Sequence, residues 1–394
     1  MSQIVPMKHQ IPYSTQCITD EDIQAVVDVL KSPYLTQGPQ VDAFEEIIAK
    51  KVNAKYAVAL NNGTTALHLA NAILLQNTPK HKKVITTPIT FVASANATLY
   101  CGNTVEFVDI DPNTFLIDFN QIEDKLKQNP NSYAGITAVS FAGLPIDTKE
   151  LKKIANKYNV WILEDASHAP GAYINYENEK VFSASCNYTD MATCSFHPVK
   201  HIACGEGGIV TTNNEKHYKQ LKKLRTHGIT KNSYEFVNNV TDEAWYHEMQ
   251  DLGFNYRISD ILCALGISQT KKLEESIAKR HILVQKYKQE LNKINEIVFQ
   301  KVPANAYHAY HLLVIRTDKR KALFNYLKQL NINCQVHYIP AHLMPYYQNL
   351  GCKIGTLQNA EQYYKECLSI PLYPHMTTDQ QDYVIEKIKA FYEQ

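Results

Sequence analysis

Three short stretches hold residues whose types and spacing could do chemistry together. In Asn62-Gly63-Thr64-Thr65, a glycine and two hydroxyls open a segment of helical periodicity just after a short apolar run. Free N–H groups at a helix start, close approach at Gly63 and neighbouring hydroxyls would cradle one phosphate. Taken alone, the same four residues read more readily as an N-cap turn that binds nothing, and the G-x-x-x-x-G-K-[ST] spacing of a triphosphate loop is missing. Next, Glu164-Asp165-Ala166-Ser167-His168 follows directly on the apolar run of residues 160–163. An acidic residue at the end of a buried strand is costly unless a cation meets it, and a protonated ring nitrogen would serve. His168 would face the same ligand if the chain turns helical there; a carboxylate capping a turn is the plainer alternative. In the third stretch, Ser195-Phe196-His197-Pro198-Val199-Lys200-His201 precedes Gly205-Glu206-Gly207-Gly208. Most lysines are surface charges. One held in a Gly-rich, strand-flanked loop loses solvation, lowers its pKa and becomes an amine nucleophile towards a carbonyl. His197 and His201 would chelate a metal only on a helix, which Pro198 between them opposes, so no metal is expected. Cys204 reads as a small buried filler.

Each stretch is weak alone, but their order makes a set. Pyridoxal 5′-phosphate needs a lysine for its aldehyde and a carboxylate that keeps its ring nitrogen protonated. It also needs N–H and hydroxyl donors for its phosphate and an aromatic for its ring face.

The elements that must position these residues follow from periodicity. Thr19 and the segment after it read as an N-cap and an amphipathic helix with Ile23, Val26, Val27 and Leu30 on one stripe. A second helix follows Gly38-Pro39, from about Val41 to Val52. Apolar strands are then expected at Tyr56–Leu60, Val84–Thr86, 104–111, 135–141, 160–165, 190–195 and 208–211. Helices fall between the earlier of them, at about 65–75, 91–100, up to 128, and 147–158. Strand-then-helix alternation with uninterrupted apolar strands marks an α/β fold: a mainly parallel, seven-stranded sheet sandwiched by helices. Beyond Gly266 one or two long helices reach about Val298. Strand 311–317, helix 319–330, strand 333–338 and terminal helices then form a smaller C-terminal α/β domain. The expected division is 1–257 for the large domain with its N-terminal helical segment, and 258–394 for the linking helix and small domain.

With 394 residues, 45% hydrophobic and 20% charged, the chain is long enough for two domains and too apolar for disorder. Forty basic against thirty-nine acidic residues give no electrostatic reason to expect nucleic acid or an anionic membrane. Nine scattered cysteines without metal spacing suit a reducing cytoplasm. The opening MSQIVPMKHQ lacks the apolar region of a leader, and no run approaches a membrane span.

The stretches TTPITFVASANA, VEFVDIDPNTF, EDASHAPGA, SFHPVKHIACGEGGIVTT, RTHGI and GFNYRISDILCALGISQ resemble, in matching order from about Gly38 to Gln269, the DegT/StrS sugar aminotransferases. That family has the fold type I of pyridoxal-phosphate transferases. The resemblance implies that Lys200 is the Schiff-base lysine, Asp165 the partner of the pyridine nitrogen and His168 the contact to the ring hydroxyl. It places Phe91 against the ring and Gly63, Thr64 and Ser195 on the phosphate. Asn255 of GFNYR would reach in from the neighbouring subunit of a homodimer with shared active sites. Relatives that dehydrate have His at the lysine position, so Lys200 implies amino transfer. L-glutamate is the family's usual donor and a keto-sugar nucleotide its acceptor. Tyr34-Leu35-Thr36-Gln37-Gly38, SFHPVKHI and Gln335-Val336-His337-Tyr338 look most similar to members acting at C4 of a UDP-linked 4-keto-6-deoxy-N-acetylhexosamine. Tyr13, Pro33, Tyr34, Leu35, Thr36, Gln335, Val336, His337 and Tyr338 would then face that substrate. The alternatives are a 4-aminotransferase for another UDP- or dTDP-linked keto-sugar and a non-catalytic sensor of the same fold. SHAPGA and Ala203-Cys204 depart from the family pattern and bear on loop shape alone.

Overall fold

A computed structural model describes residues 9–238 and 243–393; of the opening stretch read for a leader, only His9 and Gln10 lie among the described residues. The strands are β1 (Tyr56–Leu60), β2 (Lys83–Thr86), β3 (Thr104–Phe107), β4 (Tyr133–Val139), β5 (Trp161–Asp165), β6 (Tyr173–Tyr176), β7 (Glu179–Phe182), β8 (Met191–Ser195) and β9 (Gly208–Thr212). Seven form one sheet in the order β1-β9-β8-β5-β4-β2-β3. Strand β9 runs antiparallel to β1 and β8, while the other neighbouring pairs are parallel. This is the mainly parallel sheet expected from the apolar runs.

Side-chain alternation shows why those runs are unbroken. On β1, Ala57 and Ala59 enter a core with Phe44 and Ile48, whereas Val58 and Leu60 enter another with Leu67, Leu69 and Leu221. Successive residues point to opposite faces and both faces are covered, so each position is apolar. The covering helices are α1 (Asp20–Leu30), α2 (Pro39–Val52), α3 (Gly63–Leu74), α4 (Ala93–Tyr100), α5 (Phe119–Gln128), α6 (Thr148–Tyr158), α7 (Glu215–Leu224), α8 (Asp260–Lys271) and α9 (Leu273–Leu291). Their starts are chemically marked: Asp118 caps α5 and Asp147 caps α6, where its Oδ1 accepts the Glu150 N–H at 2.9 Å. A buried pair ties α2, α7 and β1 together. Arg225 Nη1 donates to Glu45 Oε1 at 2.5 Å and to the Ala59 carbonyl at 2.8 Å.

The later chain forms an antiparallel sheet of Val298–Phe299, Leu313–Arg316 and Cys367–Ile370. Its core joins Leu323 and Leu327 to Val384 and Ile388 and to Tyr287 of α9. Ile11 is buried in that same core, and the Leu372 N–H donates to the Tyr13 carbonyl at 2.9 Å. Helix α8, by contrast, packs on α1 and α2. Packing therefore crosses the expected 257/258 division in both directions.

Several expectations need correction. Residues 333–338 are not a strand: Gln335 makes one isolated bridge to Ser369, because the neighbouring edge is met at a single register position. On α1 the buried residues are Asp22 and Val29, while Ile23 and Leu30 of the expected apolar stripe are more than half exposed. Asp22 is drawn inward by Lys272 at 2.8 Å and Gln269 at 2.8 Å, so the seam with α8 is polar. Helix α7 and the β6–β7 hairpin were not foreseen; the hairpin's polar sequence YINYENEKVF hides its alternation. No helix among the described residues is long and apolar enough to cross a membrane.

Gly208, opening β9, is where the sheet meets the Asn62 turn. A Cβ there would lie 2.2 Å from the Asn62 carbonyl oxygen, which is backbone and cannot swing away. Gly208→Ala is expected to cost about 1–3 kcal/mol of stability, read as a lower denaturant midpoint. An unchanged midpoint would refute the close contact.

Candidate active site

A cavity of about 480 Å³ opens at the carboxyl edge of the sheet, where β1, β5 and β8 end. Because β9 runs back, the β8–β9 connection carrying Lys200 stays over that edge.

At the end of β1, Asn62 caps α3. Its Oδ1 accepts the Thr65 N–H at 2.9 Å and its carbonyl accepts the Ala66 N–H at 3.2 Å, leaving the first N–H groups of the helix at the cavity. Gly63 is required, since a Cβ on it would sit 2.8 Å from Ser195 Cβ and 3.0 Å from Ser195 Oγ. Thr64 and Ser195 also line the cavity, so helix N–H groups and hydroxyls converge as a phosphate needs.

At the end of β5 the strand alternation separates the two acids. Glu164 turns away from the cavity, accepting from Ser140 Oγ at 2.7 Å and the Ala184 N–H at 2.9 Å; burial pushes its carboxyl pKa up. Asp165 faces the cavity, 5% exposed, and accepts from Ser94 Oγ at 2.6 Å and the Ser167 N–H at 3.1 Å. Thr90 in turn lies 2.7 Å from Ser94 Oγ. A buried carboxylate fixed by two donors and open on one side fits a protonated pyridine nitrogen.

His168 is also buried. The Ala142 N–H donates to its Nδ1 at 3.2 Å, which fixes the tautomer and puts the ring proton on Nε2, 3.2 Å from the Tyr338 hydroxyl. Burial, reinforced by Lys200, holds this imidazole neutral, well below its usual range. It presents a donor without a charge.

Lys200 lies in the irregular turn after β8, its N–H bonded to the His197 carbonyl at 2.8 Å. Burial pulls its pKa from 10.5 down to about 8, and the Asp165 carboxylate raises it in part. A useful fraction of the amine is therefore free near neutral pH. Phe91, 60% exposed, offers its ring at the cavity, 6.3 Å from Tyr338 between centroids. The residues present fit pyridoxal 5′-phosphate: an anion cradle, a nucleophilic amine, a carboxylate for the ring nitrogen and an aromatic face.

Of the residues expected in the site, Gly63, Thr64, Phe91, Asp165, His168, Ser195, Lys200, Tyr13, His337 and Tyr338 line this cavity. Asn255 does not; it is exposed and bridges to Thr226. Pro33, Tyr34, Leu35 and Thr36 are exposed and anchored to the start of α8, where the Asp260 N–H meets the Leu35 carbonyl at 3.1 Å. Gln335 pairs with Ser369, and Val336 packs into a core beside Phe141. Sequence reasoning missed Thr90 and Ser94; two hydroxyls four apart around Phe91 were the available signal. It also missed His311, whose ring lies 4.4 Å from that of His168 and which no nearby motif announces. His197 and His201 share no helix: one lines the cavity and the other is buried behind it.

The sheet and the placing of a lysine, a carboxylate and an anion cradle at its edge fit a pyridoxal-phosphate enzyme of fold type I. The chain belongs to the DegT/DnrJ/EryC1/StrS aminotransferase family, whose model matches residues 16–389. It is 38% identical, over 97% of its length and 99% of the relative's, to the UDP-4-amino-4,6-dideoxy-N-acetyl-beta-L-altrosamine transaminase of Campylobacter jejuni strain 81-176. Helicobacter pylori PseC, an aminotransferase of pseudoaminic acid biosynthesis, superposes with a TM-score of 0.87 at 28% identity, covering 98% of this chain and 99% of that one. The PMP form of a putative sugar aminotransferase, Spr1654 of Streptococcus pneumoniae, gives a TM-score of 0.88 at 25% identity over 97% and 99%. The protein is a sugar aminotransferase that uses pyridoxal 5′-phosphate.

Only the neutral amine attacks an aldehyde, so capture of the cofactor by apoprotein is expected to quicken about tenfold per pH unit below 8 and to level off above it. Stopped-flow absorbance of the lysine-bound cofactor across pH 6–10 checks this; a rate still climbing steeply at pH 10 would place the amine in water.

Proposed function

We propose that this enzyme moves the amino group of L-glutamate to C4 of a UDP-linked 4-keto-6-deoxy-N-acetylhexosamine, a step of pseudaminic acid synthesis, as a cytoplasmic homodimer. One observation carries the reading: Lys200, Asp165 and the aromatic side chains of Tyr13, Phe91 and Tyr338 share one cavity. They do so in a chain similar over nearly its whole length to a transaminase named for that product.

Bound in the cavity, pyridoxal phosphate supplies an aldehyde that condenses with amines and an electron-withdrawing ring that acidifies the adjoining C–H bond. Asp165 holds the proton of the ring nitrogen, and Ser94 and Ser167 keep that carboxylate aimed. His168 donates its Nε2–H to the ring hydroxyl, while Gly63, Thr64 and Ser195 anchor the phosphate. Lys200 Nζ takes the proton from the donor's α-carbon and, in the second half of the cycle, delivers one to the sugar's C4. The donor's amino group and the acceptor's carbonyl come to Lys200 in turn, which makes the kinetics ping-pong. Tyr13, His337 and Tyr338 offer rings and hydrogen-bonding groups to the sugar and exclude water from one side.

The dimer rests on what one chain leaves outside its own cavity. Asn255 and Pro33–Thr36 are exposed, as are Ile23, Leu30, Tyr34 and Leu35, an apolar surface that a second copy would cover. In that arrangement Asn255 completes the phosphate cradle of the other subunit, and Pro33–Thr36 face its sugar.

The substrate is tested with L-glutamate and a panel of UDP-4-keto sugars differing at C5. Conversion of the L-arabino epimer alone is the expected result, and exclusive use of the D-xylo epimer would reject this sugar assignment while leaving the aminotransferase intact. Site sharing is tested by mixing Lys200→Ala with Asn255→Ala protein after subunit exchange. Activity of about a quarter of wild type is expected, because one site in each mixed dimer holds both residues; a mixture as inactive as its parents would put Asn255 elsewhere.

A further inference from the structure

A second cavity, of about 360 Å³, shares the lining residue Lys200 with the first. Its walls include Thr15 and Gln16, His201, and Lys272, Ser276 and Arg280 of the α8–α9 turn and α9. Arg280 is 2% exposed. Its Nη1 donates to the carbonyls of Tyr310 at 3.2 Å, His311 at 3.3 Å and Leu372 at 3.0 Å, and its Nε has no partner. Among the described residues no carboxylate pairs with it, whereas the other cations of this cavity's rim are matched: Lys272 by Asp22 at 2.8 Å and Lys279 by Glu275 at 2.7 Å. His201, 5% exposed, makes no hydrogen bond to another side chain and has only the His168 backbone near a ring nitrogen. A guanidinium taken out of water without a counter-charge is costly, as is an imidazole beside it with a ring nitrogen left unpaired. Both costs are relieved by one ligand: an oxyanion entering the cavity, where a planar carboxylate matches the guanidinium's fork.

We propose that this cavity is a carboxylate site, in which Arg280 and His201 receive a carboxylate group of the amino-acid donor next to Lys200. The assignment rests on the aminotransferase reading but not on the identity of the donor, because every α-amino acid brings a carboxylate. Lys200 lines both cavities, so a carboxylate held here lies beside the residue that handles the donor's proton.

The test uses the cofactor-loaded enzyme, with glutarate as a probe that has carboxylates but no amine. Glutarate is expected to bind in calorimetry and to compete with whichever amino acid bleaches the cofactor band in single turnover. Arg280→Lys is expected to raise the donor's half-saturation concentration at least tenfold. Since a buried arginine can also serve folding, Ser276→Glu provides a second variant: it sets a competing carboxylate on the cavity wall from a half-buried helical position. It is expected to raise donor half-saturation similarly and abolish glutarate binding. Amino transfer from the aminated cofactor to the keto-sugar is expected to keep its rate, a separation that a general structural defect would not produce. Wild-type enzyme that fails to bind glutarate, glutarate binding without competition, or Ser276→Glu with donor half-saturation within twofold of wild type would each overturn the proposal. Failure of L-glutamate where another amino acid succeeds would count only against the proposed donor.

Discussion

An amine whose hold on its proton is loosened by burial, within electrostatic reach of a buried carboxylate, is the constraint around which this enzyme is arranged. Water would hold Lys200 protonated and inert; a dry site without Asp165 would discard the proton altogether. The environment that brings its pKa to about 8 disfavours the charged amine by about 3 kcal/mol relative to water. A penalty of that order is a large fraction of a typical domain's net stability, so it persists only if the surroundings are fixed by other interactions. Those are the donors that tie down Asp165 on one side and the close packing of Ser195, Gly63 and Gly208 on the other.

Sheet topology explains how a loop can be held so firmly. In a wholly parallel sheet the chain leaving β8 would depart through a crossover helix and carry its residues off the edge. Here β9 returns antiparallel, Ser195 pairing with Gly208 and Leu60 also pairing with Gly208. The twelve residues between β8 and β9 are thereby clamped at both ends against the Asn62 turn. Glycine at 63 and 208 follows from that clamp, since the backbones approach too closely for a side chain at either point. The lysine loop and the phosphate cradle are thus two sides of one packing contact.

Much of this is legible in the sequence because it is local. The buried strands show as apolar runs, and the residues at their carboxyl ends, Asn62-Gly63, Asp165 and Ser195, declare themselves by position. What stays hidden depends on contacts between distant segments. Nothing in FVASANA says that Ser94 will reach a carboxylate seventy-one residues on. Nothing near Phe141 says that Ala142, at a φ of 60°, will aim its N–H at His168. Residues 333–338 alternate like a strand yet pair at one position only, because pairing depends on the edge they meet. Ile23 and Leu30 keep the helical period of the α1 stripe yet face away from their own chain, and periodicity cannot report which surface covers a face.

The histidines around the lysine show what the site requires of its electrostatics. His168, His201, His311 and His337 lie close together in its surroundings, and burial holds each neutral, His337 at about 3 and the others well below their usual range. A protonated imidazole here would repel the lysine's proton further and draw on the charge of Asp165. Neutral rings instead supply directional donors and acceptors: His168 through a tautomer set by a backbone N–H, and His337 through Ser369 at 2.8 Å. Polarity is thereby separated from charge, so that in the first cavity the field is governed by Lys200 and Asp165, while the permanent cation, Arg280, lines the second. In the proposed cycle such a division would let Lys200 gain and lose a proton in each half without a neighbouring group titrating in its place.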